Sequence, residues 1–168
     1  MQVRLGDVLV GRGVLTTSQL EEALRLQRVT HEPLGVICER HFHVEPEVIE
    51  QAWEVQYLHL TRRLDPRVET FEDRALDLVT RRQAWQFRVL PIRFDGEELM
   101  MATTARHLRR ALRFATKFIG VPVFLVVADP LALGEALCRR YPLAGMTPQS
   151  IDDDSMDRLL SMAKNAAA

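Results

Sequence analysis

The chain has 168 residues, 47% of them hydrophobic and 27% charged, with a net charge of −1. That is enough for one or two small domains with a core, and the near-neutral balance argues against a general nucleic-acid binder, so no DNA partner is expected. No apolar run approaches the roughly 18 residues of a membrane span, and the opening Met-Gln-Val-Arg-Leu-Gly lacks a signal-peptide core, so a cytoplasmic protein without membrane insertion is expected.

Leu5, Val8 and Leu9 have helical spacing, and Gly11 and Gly13 are placed to stop that helix. Thr16 with Gln19 three residues on predicts a capped second helix, with Leu15 and Leu20 as its hydrophobic staple. Leu20, Ala23, Leu24 and Gln27 then share one face. A second pair of helices follows the same plan. Val44 and Ile49 are its staple, Pro46 takes the first helical position, and Ile49, Ala52, Trp53 and Gln56 repeat the face.

Beyond Gln56 the pattern changes. Tyr57 to Leu60 reads as a short strand, Asp65-Pro66 as a turn, and residues from about Val68 to Trp85 as Arg-rich helix. Arg88 to Phe94 and Glu98 to Ala102 flank Asp95-Gly96, which predicts a hairpin. His107 to Ile119 is an amphipathic helix with Gly120 in the C-cap place. Val121 to Ala128 is a nearly continuous apolar strand, as expected of one buried on both faces. Asp129-Pro130 opens a last helix through Tyr141. The expected fold is α+β: a four-helix unit over residues 1–56, an α/β subdomain over 57–145, and a tail or linker over 146–168. That tail holds Asp152-Asp153-Asp154 and a possible short helix with Met156, Leu159, Leu160 and Met162. Cys38 and Cys138 form no CxxC pair and sit among apolar residues, so reduced core thiols are expected.

The two helix pairs are one segment written twice. Arg4-Leu5-Gly6 to Gln27 recurs as Pro33-Leu34-Gly35 to Gln56, with a constant shift of 29 residues. Each copy is one supersecondary unit, and two such units stack to hide their apolar faces. The first copy also carries Arg4, Gly6 and Gln27, polar or small residues that packing alone does not require.

This doubled segment resembles the MshEN domain, the N-terminal domain of type II secretion and type IV pilus assembly ATPases. The family pattern is matched throughout the first copy by Arg4-Leu5-Gly6, Leu9-Val10, Gly13, Val14-Leu15, Leu20, Leu24 and Gln27. The gap Arg28 to Glu32 has the family's five-residue length. The stretch from Tyr57 to about Tyr141, with its Leu90-Pro91 strand and hairpin, is similar to the rest of the domain. The resemblance implies a cyclic di-GMP ligand, each copy serving one half of the molecule. It implies contacts from Arg4, Leu5, Gly6, Leu20, Leu24 and Gln27 in the better half-site. Leu34, Gly35, Ile49, Trp53 and Gln56 would form the other. An Arg fork suits a guanine edge or a phosphate, Gly lets backbone approach, and Gln offers donor and acceptor together.

The second copy departs from the pattern. Pro33 replaces the Arg, Glu39 stands opposite Val10, Phe42 replaces the internal Gly, His43 an apolar residue, and Trp53 the second Leu. Loss of one charge-assisted contact costs about 1–3 kcal/mol. A competing reading gives Arg4 and Gln27 only a surface ion pair and a solvated helix end, and makes Trp53 core.

Arg106, Arg109, Arg110, Arg113 and Lys117 form a basic stripe. It reads as a solvated face or as a docking surface for an acidic protein partner from a secretion, pilus or signalling machine. The acidic run Asp152–Asp154 is placed to fold back onto it. His41 and His43 would face one side of an extended segment, but no Cys/His partner follows at ligand spacing, so no metal is expected. No phosphate loop, Gly-x-Ser-x-Gly elbow, HExxH or GxGxxG occurs, so no cofactor and no enzyme activity are expected. The alternative to a nucleotide receptor is an adaptor that has lost the ligand.

Overall fold

The computed structural model describes residues 3–153. Met156, Leu159, Leu160 and Met162, proposed above for a terminal helix, lie outside the described residues. The chain divides into two units, Met1–Thr61 and Arg62–Ala168.

The first unit is helical throughout: α1 (Leu5–Gly11), α2 (Thr17–Thr30), α3 (Leu34–Phe42) and α4 (Pro46–Leu60). Thr16 caps α2 as its sequence requires. Its Oγ1 accepts from the Gln19 amide at 3.2 Å, and its own amide donates to Gln19 Oε1 at 2.8 Å. Pro46 opens α4 without forfeiting a hydrogen bond. Between copies the packing is crossed, α1 lying on α4 and α2 on α3.

The core of this unit shows the duplication directly. Its buried residues pair off across the same shift: Val8 with Ile37, Leu9 with Cys38, Leu15 with Val44, and Ala23 with Ala52. The Leu15 amide bonds to Leu9 O at 3.3 Å, and the Val44 amide to Cys38 O at 3.2 Å. Burial pushes the Cys38 thiol above its ordinary pKa, with the Glu39 charge adding to the effect.

The copies differ where the sequence does. In the first, Gly13 takes the left-handed turn with φ 71°. In the second, Arg40 and Phe42 stand where Gly11 and Gly13 were, so α3 runs two residues further by equivalence. His43 then takes the left-handed position with φ 52°. A non-glycine residue there costs about 1–2 kcal/mol. His41 is therefore helical and His43 a cap, and the extended His-Phe-His segment does not form.

The expected strand at Tyr57 to Leu60 is also helix. Trp53 and Tyr57, one turn apart on α4, bring their rings to 5.0 Å between centroids, a contact that favours carrying the helix on. The unit therefore ends at Thr61 rather than Gln56.

In the second unit the long helix expected over Val68 to Trp85 is two short ones, α5 (Asp73–Leu76) and α6 (Arg81–Phe87). Thr80 starts α6 with a second capping box, its Oγ1 accepting from Gln83 N at 3.2 Å, and that local signal outweighs the helical period. Strands β1 (Leu90–Asp95) and β2 (Glu98–Thr103) form the predicted hairpin, with Asp95 paired to Glu98 and Gly96 at φ 63°. Helix α7 (Leu108–Phe118) crosses over to β3 (Val123–Val127), which lies parallel to β2 in the order β1-β2-β3. Ile119, extended at φ −100°, ends α7, and Gly120 is not a left-handed cap. Asp129 caps α8 (Pro130–Arg140), accepting from the Leu131 and Ala132 amides at 3.0 and 3.2 Å.

Residues 146–153 are not a linker. A short 3-10 turn, Pro148–Ile151, packs on α8 and leaves Ile151 1% exposed. A Cβ on Gly134 would lie 2.1 Å from Pro148 O, so this glycine is the notch that admits the segment. Arg88, wholly buried in a left-handed conformation, donates to Ile151 O at 3.1 Å and Asp153 O at 3.0 Å, and also to Trp85 O.

Candidate functional site

The residues of the doubled motif separate into positions that build the unit and positions at its surface. Leu5, Leu34 and Ile49 pack against the core. Leu20, Leu24 and Trp53 are half-buried at matched or neighbouring places on α2 and α4. Gly6 and Gly35 have a packing role at equal stations. A Cβ on Gly6 would come within 2.5 Å of Leu20 Cδ1, and one on Gly35 within 2.9 Å of Ile49 Cγ2. Each motif glycine is thus the seat of its own copy's first covering residue, a role the sequence reading did not assign.

The glutamines are spent across the copies. Gln27 Nε2 donates to Glu32 O, and Gln56 Nε2 to Val3 O, each at 3.2 Å. Residues 3 and 32 are themselves matched, each standing just before the opening residue of a copy. The closing glutamine of one copy therefore fastens the opening of the other. This regroups the expected half-sites: Arg4 neighbours Gln56 rather than Gln27, and Gln27 neighbours the Pro33 corner.

Arg4 is exposed at the start of α1. Its amide donates to Asp7 Oδ2 at 3.2 Å, while no described residue pairs with its guanidinium. At the other corner a different guanidinium stands near the opening. Arg40, on the last turn of α3, reaches back to Glu32 Oε1 at 2.7 Å. Sequence reasoning passed over Arg40 because it lies outside the motif positions. Glu32 precedes α3, so no helical spacing linked the two residues in the sequence.

The second unit holds the basic stripe. Arg106 donates to Asp152 O at 3.2 Å, its guanidinium 4.0 Å from that carboxylate, so part of the acidic run does fold back on the stripe. Arg110 reaches Gln86 O at 3.4 Å, and Arg109 is half-buried. Arg113 and Lys117 are exposed, with Phe118 53% exposed beside them. A cleft of about 510 Å³ opens at the carboxyl ends of the parallel strands β2 and β3, lined by Arg63, Arg67, Thr104, Arg106 and Asp129 among others. Its charges are largely matched internally, Arg67 being bonded to both Asp65 and Glu135. Among the described residues no group of three or more His, Cys, Asp or Glu side chains is placed to hold a metal ion, and no helix is long and apolar enough to cross a membrane.

The family model for the MshEN domain matches residues 58–147, more than half of the chain. The chain belongs to the MshEN domain family. That match falls on the second unit and the end of α4, so membership rests on the α/β part, whereas the sequence resemblance was most detailed in the helical motif. Among solved structures the chain is similar to that of MshE with cdg, at 24% identity and a TM-score of 0.46, covering 83% of this chain and 99% of that one. It is also similar to the N-terminal domain of XpsE, at 18% identity and a TM-score of 0.43, covering 84% and 99%. Comparison with curated proteins found no match.

Proposed function

We propose that the helical unit of this MshEN-family chain is a receptor for cyclic di-GMP, a regulatory module rather than an enzyme. The observation that carries this reading is an otherwise complete first motif in which Arg4, exposed at the start of α1, directly follows the Val3 carbonyl that Gln56 holds. Leu20 and Leu24, half-buried on α2, supply apolar cover for a purine face, and family membership supports the same ligand class. Because the fastening bonds run between copies, a ligand gripping both corners would stiffen the crossed packing and bias how the module engages a partner.

The test is titration calorimetry with cyclic di-GMP, beside GTP and cyclic di-AMP. Micromolar or tighter binding, specific to cyclic di-GMP and abolished by Arg4→Ala, is expected. Millimolar binding by the unsubstituted chain would overturn the reading.

The exposed Arg113, Lys117 and Phe118 on α7 favour a second reading, in which the chain is an adaptor docking an acidic protein of a secretion, pilus or motility machine. Reversing the charge of Arg109 and Arg113 together is then expected to abolish a pull-down partner that nucleotide leaves unaffected. A double variant that keeps every partner removes this reading.

A further inference from the structure

We infer that Arg40 is the guanidinium of the second half-site, delivered from the far end of α3 in place of the arginine that Pro33 displaced. The inference rests on the reading of the helical unit as a purine dinucleotide receptor. Three observations carry it.

The first is that the second corner keeps its frame. Gly35 seats Ile49 as Gly6 seats Leu20, and Gln27 fastens Glu32 as Gln56 fastens Val3. What Pro33 removes is the cation alone. The second is place. Glu32 joins the two groups, its carbonyl accepting from Gln27 and its carboxylate from Arg40 at 2.7 Å. The guanidinium of Arg40 is thus one residue from Pro33 and one hydrogen bond from the residue that holds Gln27. Side chains on a helix lean towards its N-terminus, so Arg40 is directed along α3 to this corner by ordinary geometry. The third is availability. The side chains of Arg40 and Glu32 are 59% and 28% exposed. An ion pair so exposed is weakly held, so an incoming phosphate or guanine edge can replace the carboxylate at little cost.

Arg40 occupies the place of Gly11, a helical position in both copies, and α3 runs on for two residues beyond it. Glu32 then acts as a placeholder: it keeps Arg40 at the corner and competes with the ligand's own negative charge.

The two partners predict opposite signs. With cyclic di-GMP as the probe and the full chain in calorimetry, Arg40→Ala is expected to weaken binding about 10-fold or more, and Arg40→Lys to recover part of that loss. Glu32→Gln, which keeps the carbonyl for Gln27 and removes the competing charge, is expected to tighten binding several-fold. Far-ultraviolet circular dichroism checks that each variant is folded, which the exposure of both side chains favours. If the unsubstituted chain binds and Arg40→Ala binds equally well, the assignment of Arg40 is overturned while the receptor reading stands. If Glu32→Gln weakens binding, the placeholder role is overturned. If the unsubstituted chain does not bind cyclic di-GMP at all, the receptor reading falls and this inference with it.

Discussion

The Gln56 side chain donates to the carbonyl of Val3 at 3.2 Å, across a sequence distance that spans the whole helical unit. Its duplicate, Gln27 to Glu32, has the same length. The motif glutamines are therefore clasps, each closing one copy onto the other. Gln56→Ala is expected to lower the stability of the helical unit by about 1 kcal/mol, the net worth of one such bond. Gln27→Ala should cost a similar amount. For a unit of this size that is a melting shift of roughly 4–8 °C. Gln56→Glu tests the direction of donation, because a carboxylate cannot give a proton to Val3 O and must lose the bond as Ala does. A Gln56→Glu chain that melts with the unsubstituted one would refute the clasp.

The second unit holds its own C-terminal segment by a notch and a buried cation. Gly134→Ala places a methyl group 2.1 Å from Pro148 O, and a helix backbone has no rotamer by which to yield. The substitution is expected to detach residues 148–153 despite Ala being the better helix former by about 1 kcal/mol. Arg88→Met should act in the same direction by leaving the Ile151 and Asp153 carbonyls without their donor. Hydrogen exchange across 148–153 reads both. Unchanged protection in Gly134→Ala would mean that the segment is held elsewhere.

Much of this was legible in the sequence, and the failures have physical causes. The four helices, Thr16 capping, the hairpin at Gly96 and the cap at Asp129 all follow from local signals, and the structure carries each. The strand expected at Tyr57 failed because a Trp–Tyr contact one turn apart extended α4. The long helix before Trp85 failed because the Thr80 capping box starts a separate helix at Arg81. The tail failed because its anchors, Gly134 and Arg88, are remote in sequence from Pro148 and Ile151. At the candidate site the residue types were readable, but the placing of Gln56, rather than Gln27, against the residue before Arg4 depends on crossed packing that no local pattern encodes.

His107 gives the second unit an acid sensitivity. Its ring is buried, and its Nδ1 lies 2.7 Å from Thr104 Oγ1. Burial, then the charges of Arg88, Arg110 and Arg106, lower its pKa to about 4, with Asp152 opposing them. The folded state thus binds the proton less well than the unfolded chain, whose imidazole has its ordinary pKa near 6.5. The stabilisation is fully present above about pH 6.5 and is lost as pH falls towards 4, by about 3 kcal/mol in all at 1.36 kcal/mol per unit. Urea midpoints between pH 7 and pH 4 should fall for the unsubstituted chain and fall less for His107→Gln. Equal slopes for the two would remove His107 as the cause.

The two motif glycines should respond unequally to one added methyl group. In Gly6→Ala the new Cβ meets Leu20 Cδ1, the end of a half-buried and flexible side chain that is able to swing aside. In Gly35→Ala it meets Ile49 Cγ2, which is bonded directly to Cβ of a stiff, β-branched residue packed on the core. Overpacking of the second kind costs about 1–3 kcal/mol, and the gain in helix propensity offsets up to about 1. Gly35→Ala is therefore expected to destabilise the helical unit clearly, whereas Gly6→Ala should be close to neutral in stability while moving Leu20. Because Leu20 is a proposed cover for the ligand, Gly6→Ala should weaken cyclic di-GMP binding more than it lowers the melting temperature. A Gly6→Ala chain that melts early yet binds normally would reverse the roles assigned to these two contacts.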